Sequence, residues 1–127
     1  MHTDMIIKLK NAQAVKKESV KIPSSNLSEA ILAALAKNGF VESFEKKGKG
    51  VKKYLDVKLK YGEDGLGKIG SVKLVSKPSR RIYAGYRELR PVKSGLGLLV
   101  VSTPRGIMSG KEARKMKLGG EVLFEIW

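Results

Sequence analysis

The sequence contains no cysteine, a single histidine and only 12 acidic residues in 127, and it has no long hydrophobic run. The first absence removes disulfides, a thiolate nucleophile and any cysteine-containing zinc site, and it fits a reducing compartment. His2 has no second histidine to join it in a metal set, and its place beside the chain start suits a positioned general base poorly. The apolar stretches fall far short of the roughly 20 residues that a membrane span needs. The opening MHTDMIIKLK, with Asp4 and no small-residue cleavage pattern, does not read as a signal peptide. A soluble, cytoplasmic chain is expected, with no membrane partner.

Against those 12 acids stand 26 lysines and arginines, a formal net charge of +14. A small domain carrying that much self-repulsion is relieved by a polyanion, so nucleic acid is the leading partner. The basic residues are spread along the chain and form neither a juxtamembrane block nor a basic amphipathic helix, which weighs against an anionic membrane. Hydrophobic residues make up 42% of the sequence, too many for a disordered basic tail. The length allows one domain or two very small ones.

Met5, Ile6, Leu9 and Ala12 recur at helical steps, with Lys8, Lys10, Asn11 and Gln13 on other faces and Thr3 placed as an N-cap. Ser19 to Ile22 reads as a short strand stopped by Pro23. Ser24, Ser25 and Asn26 cluster as capping side chains before Leu27, Ile31, Leu32 and Leu35; Glu29 lies at the capping-box spacing from Asn26, and Asn38 and Gly39 close the helix. A hairpin follows. Val41 to Phe44 forms one arm, Gly48-Lys49-Gly50 the turn, and Leu55, Val57, Leu59 and Tyr61 alternate with Asp56, Lys58 and Lys60 on the other. Past the glycine-rich loop 62–67, Ile69, Val72, Leu74 and Val75 suggest another strand. Beyond Pro78 there are only short apolar segments: 81–83, 96–101 and 122–126. The expected fold is α+β: an N-terminal α/β part over 1–77 with a short antiparallel sheet, and a β-rich C-terminal part over 78–127 with one short helix.

The densest chemistry lies in Ser102-Thr103-Pro104-Arg105-Gly106-Ile107-Met108-Ser109-Gly110-Lys111-Glu112-Ala113-Arg114. An apolar strand delivers two hydroxyls, a proline, a guanidinium and a glycine into one turn, where small donors and backbone N–H groups can approach a phosphate or a base edge. Ser109 to Glu112 repeats the capping-box spacing, so a short helix should follow. On residue types alone, a polar loop capping a helix explains the segment equally well.

The segments Leu99-Val100-Val101-Ser102-Thr103, Gly106-Ile107-Met108, Lys111-Glu112-Ala113-Arg114-Lys115 and Gly119-Gly120-Glu121-Val122 closely resemble the C-terminal signature of ribosomal protein eight of the small subunit, in its bacterial type. Arg81-Ile82-Tyr83, Gly95-Leu96-Gly97, Ile22-Pro23-Ser24-Ser25 and Asp4-Met5 with Asn11 extend the resemblance over essentially the whole chain. It implies a two-part protein whose C-terminal part grips an irregular helix in the central domain of small-subunit ribosomal RNA and aids assembly beside neighbouring ribosomal proteins. Bacterial members can also bind a mimic of that helix in their own operon messenger RNA and repress translation. By the same resemblance Ser102, Thr103, Pro104, Arg105 and Gly106 form the RNA-contacting loop, with Tyr83, Glu121, Arg81, Lys111 and Arg114 around it. Ser24 and Ser25 match a secondary contact, and Lys8, Lys10 and Asn11 the basic first helix. The ribosome it implies is cytoplasmic, with an organellar one left open.

Two positions depart from the family pattern. Pro104 replaces a second serine hydroxyl, bringing neither hydroxyl nor N–H, and Asn26 stands where many members carry a basic residue.

The residue types agree with RNA chemistry. A regular RNA helix hides its base edges, so selective recognition needs distorted sites, small polar side chains and an aromatic face. Tyr83 in a β-rich half is more often core than platform, and only its family position argues for contact. Glu121 needs an amino or hydroxyl donor, or a pairing with Arg105 or Arg114, to sit among phosphates. Arg80, Arg81, Arg87, Arg90, Lys93, Lys111, Lys115 and Lys117 supply charge, and Lys46, Lys47, Lys49, Lys52 and Lys53 form a basic hairpin tip. Nothing suggests an enzyme, a cofactor, a metal or a small-molecule substrate: Gly95-Leu96-Gly97 precedes an apolar strand, and Asp56, Glu63 and Asp64 sit among lysines or in a turn. The rival reading is a general architectural DNA-binding protein.

Overall fold

The computed structural model describes residues 2–48, 50, 53–63, 65, 67–77, 79–90 and 97–127, with His2 and Thr3 as backbone only. It divides into two compact units, Met1–Ile69 and Gly70–Trp127. Pro78, expected as the boundary, lies outside the described residues, as do Lys49, Lys52, Asp64, Leu66, Lys93, Gly95 and Leu96. The division falls earlier than the expected boundary because the segment Val72–Leu74 pairs with the last strand of the chain.

The first unit contains α1 (His2–Ala14), β1 (Ser19–Pro23), α2 (Asn26–Lys37), β2 (Val41–Lys47) and β3 (Tyr54–Leu59). The strands form an antiparallel sheet in the order β1-β3-β2. Ile22, Leu55, Val57 and Leu59 are buried, as are Met5, Ile6, Leu9 and Ala12 of α1 and Ile31, Leu32 and Leu35 of α2. The helical and alternating apolar spacings therefore mark the buried faces. Helix α1 already includes His2, so Thr3 falls within its first turn and is not its cap. The N-cap of α2 is Ser25, whose Oγ accepts the Ser28 N–H at 3.0 Å. The expected box between Asn26 and Glu29 is replaced by this one-residue earlier cap, and Glu29 instead approaches Lys46 at 3.6 Å.

The second unit contains β4 (Val72–Leu74), β5 (Tyr83–Ala84), a single 3-10 turn (Tyr86–Glu88), β6 (Leu98–Thr103), β7 (Gly106–Ser109), α3 (Gly110–Lys115) and β8 (Gly120–Ile126). Its five-stranded sheet runs β4-β8-β6-β7, and β5 also pairs with β8. Strand β6 is buried on both faces from Leu98 to Val101, which is why it reads as an unbroken apolar run. Leu99, Val101, Met108, Val122 and Leu89 pack with Ala113 of α3 into one core cluster. Ser109 caps α3 by accepting the Glu112 N–H at 3.1 Å, as the spacing predicts.

Between Val100 and Val101 the pairing with β8 slips by one residue, leaving Leu123 as a bulge. Its carbonyl turns to the other side and accepts N–H groups from Val75 (3.1 Å) and Ser76 (3.2 Å). A bulge bends its strand, here just before the end that carries Glu121.

Replacing Ser25 with alanine removes the α2 cap and should lower stability by about 1 kcal/mol in chemical denaturation. An Asn26→Ala variant, lacking that role, should stay within about 0.5 kcal/mol of the parent.

Candidate nucleic-acid interface

Directly opposed residues of an antiparallel sheet project to the same side. Ser102 pairs with Glu121 across β6 and β8, Glu121 pairs with Tyr83 across β8 and β5, and Ser102 pairs with Ile107 across β6 and β7. Ile107, Ser102, Glu121 and Tyr83 thus form one row across four strands, at about 4.8 Å per strand. Beside the row lies an open groove of about 520 Å3, whose lining includes Tyr83, Glu88, Ser102, Thr103, Pro104 and Glu121 together with Gly119 and Gly120.

Tyr83 is 68% exposed, so its ring is a surface platform and not core. Glu121 is only 13% exposed, and Arg81 Nη1 lies 3.3 Å from both of its carboxylate oxygens. The acid is therefore held by Arg81, a partner not among the alternatives of a nucleic-acid donor, Arg105 or Arg114. This pairing lets a carboxylate stand in a cationic surface, with Arg81 half exposed beside it.

The hydroxyl of Thr103 is engaged inside the turn. Its Oγ1 donates to the Gly106 carbonyl at 2.8 Å and accepts the Arg105 N–H at 3.2 Å, and the residue is 8% exposed. Thr103 therefore shapes the loop; both it and Ser102, half-buried and in the row, line the groove. Pro104 is the first residue of a two-residue turn closed by Thr103 and Gly106, the position that a fixed φ near −65° favours. Its loss of a hydroxyl is accompanied by a pre-set backbone. Gly106 has φ of +119°, a conformation that side chains with a Cβ rarely adopt.

Lys111 and Arg114 are exposed on α3 and do not line the groove. Ser24, Ser25, Lys8, Lys10 and Asn11 belong to the first unit: the Ser25 hydroxyl is committed to Ser28, Ser24 is half-buried, and the other three are exposed on α1. Of the hairpin lysines, Lys47 pairs with Asp56 at 3.1 Å. A hydrogen bond and the charge of Asp56 raise the Lys47 pKa above its ordinary value.

Two features of the site escape residue-type reasoning. A Cβ on Gly120 would stand 2.0 Å from the Ser102 carbonyl oxygen, and one on Gly119 would stand 2.6 Å from the Ala84 carbonyl oxygen. The adjacent glycines were the available signal, since paired glycines entering a strand mark a close backbone approach. The other is Ser76, fully buried, whose Oγ donates to the Val122 carbonyl at 2.6 Å and accepts the Ile82 N–H at 3.0 Å. It ties the segment carrying Arg81 and Tyr83 to β8. No pattern in the sequence distinguishes this serine from its polar neighbours.

Residues 2–127 match the family Ribosomal protein S8. The chain belongs to that family. It is 40% identical over 131 residues to small ribosomal subunit protein uS8 of Thermus thermophilus, covering 98% of this chain and 95% of that protein. It is 45% identical over 127 residues to the protein of the same name from Kosmotoga olearia, with the same shares covered. Membership of the S8 family makes it a structural, non-enzymatic protein of the small ribosomal subunit. No helix among the described residues is long and apolar enough to cross a membrane, and no described group of three or more His, Asp or Glu residues is arranged to hold a metal.

Gly120→Ala should force β6 and β8 apart and destabilise the second unit by about 1–3 kcal/mol in thermal or chemical unfolding. Gly85→Ala, at a groove position where a Cβ meets nothing within 4 Å, should be close to neutral.

Proposed function

We propose that the chain binds the central domain of small-subunit ribosomal RNA through its second unit, aiding assembly of the subunit alongside neighbouring ribosomal proteins. The observation that carries this reading is the row of Ser102, Glu121 and exposed Tyr83 across three paired strands. A hydroxyl, an acceptor and a ring at strand spacing suit bases and 2′-hydroxyls splayed from a distorted stem, which regular A-form RNA does not offer. Tyr83 stacks an unpaired base. Glu121, oriented by Arg81, accepts from a base amino group or a 2′-hydroxyl. Ser102 reaches a sugar or base edge, and the turn Thr103 to Gly106 presents Arg105 and backbone donors to the phosphates.

The exposed lysines and arginines supply attraction that is independent of sequence. Lys111 and Arg114 reach flanking phosphates, while Ser24, Lys8, Lys10 and Asn11 of the first unit form a secondary contact. A matching fold in the messenger RNA of the chain's own operon presents the same chemistry, so the same surface serves translational repression. The cytoplasmic ribosome is the setting this reading assigns.

Competition binding tests it. The central-domain stem should bind in preference to perfectly paired RNA and to duplex DNA of equal length, and log affinity should fall by roughly 0.7–0.9 log units per log unit of salt for each phosphate neutralised. Tyr83→Ala should cost about 1–3 kcal/mol on the irregular stem and little on the paired one. Displacement by DNA at similar concentration would favour the architectural DNA-binding reading.

A further inference from the structure

The chain carries 26 lysines and arginines against 12 acids, yet among the described residues none of those cations lines the groove beside Tyr83 and Ser102; its charged members are Glu88 and Glu121. The two acids differ in their balance. Glu121 is 13% exposed and paired with Arg81. Glu88 is exposed and belongs to no ion pair among the described residues. Its neighbour in the chain, Arg87, turns to Tyr86 instead, donating from Nε to the phenol oxygen at 3.2 Å with the guanidinium 5.6 Å from the ring centroid. Glu88 also lines a second groove with Lys77, Arg80 and Arg90, and no described ion pair joins it to any of the three.

The backbone fixes where this acid stands. Glu88 ends the 3-10 turn, its N–H donating to the Gly85 carbonyl at 2.9 Å, and the next residue, Leu89, is buried in the core cluster with Leu99 and Val122. The carboxylate thus starts from an anchored position on the groove wall. An acid without a cation partner raises the cost of bringing a phosphate close, whereas the amino and hydroxyl donors of bases and sugars meet it as an acceptor. A regular helix presents its phosphates outward along its whole length, and a distorted stem offers splayed bases and sugars. Repelling the wrong partner discriminates as effectively as attracting the right one.

We propose that Glu88 is a specificity-determining residue that keeps phosphates out of the groove, so that a regular duplex is rejected there while an unpaired base or sugar is admitted. This rests on the RNA reading above and adds a repulsive element to the contacts of Tyr83, Glu121 and Ser102. Attraction of phosphates falls to cations elsewhere on the surface.

The test compares Glu88→Gln, which removes the charge and keeps the size, with Glu88→Asp, which keeps the charge, and with Glu125→Gln, which removes an acid that lines the second groove and not the first. Each is titrated against a central-domain transcript and a perfectly paired RNA duplex at several salt concentrations. Glu88→Gln should bind the duplex about two- to fivefold more tightly at low salt, the scale of one exposed charge pair, and the transcript nearly as the parent does. The gain should shrink as salt screens the charge. Glu88→Asp should keep most of the parent's preference for the transcript, and Glu125→Gln all of it. An unchanged duplex affinity for Glu88→Gln overturns the proposal, as does an equal gain on both RNAs, a gain that salt does not diminish, or the same gain from Glu125→Gln. A loss confined to the transcript overturns it too, making Glu88 a direct acceptor. A parent protein with no preference for the transcript would defeat the selective-recognition reading instead, while the duplex gain would still decide whether Glu88 repels phosphate.

Discussion

A Cβ on Gly120 would lie 2.0 Å from the Ser102 carbonyl, so β6 and β8 reach their observed separation only because that atom is missing. Gly119 does the same against the Ala84 carbonyl on the side of β5. Both approaches meet at the end of β8 where Glu121 stands between Ser102 and Tyr83. The row of three side chains is thus a consequence of backbone contact, and both glycines line the groove beside it. The bulge at Leu123 bends β8 immediately behind this point and frees a carbonyl to hold Val75 and Ser76. Ser76 then fixes the segment that ends in Arg81 and Tyr83.

Charge is distributed on this framework in two ways. Arg81 and Glu121 form an internally balanced pair, one half exposed and one nearly buried, which suits orientation more than attraction. Lys77 and Arg80 instead place two exposed cations directly opposite each other.

Much of this was legible in the sequence. The apolar spacings of α1 and α2, the alternation along β3 and the Ser109–Glu112 cap all appear in the structure because each expresses a local rule of helix or strand geometry. The α2 cap fell one residue early because three consecutive residues can cap a helix, and only backbone geometry selects Ser25. The sequence shows β4 as a strand but not its partner, β8, because strand partnership is a long-range fact. The family resemblance placed Ser102, Tyr83 and Glu121 as candidates but residue types could not align them, since their alignment depends on registers between segments far apart in the chain. The partner of Glu121 was not legible either, because the fold brings Arg81 to it from 40 residues away.

The central claim is that the row of Ser102, Glu121 and Tyr83 recognises a distorted RNA stem by its splayed bases and sugars. Hydroxyl-radical footprinting of the parent protein on a central-domain transcript of small-subunit ribosomal RNA tests it most directly. Protection confined to one irregular stem, at protein concentrations that leave the regular helices of the same transcript exposed, is the predicted result. Protection spread evenly over the paired regions would contradict the account.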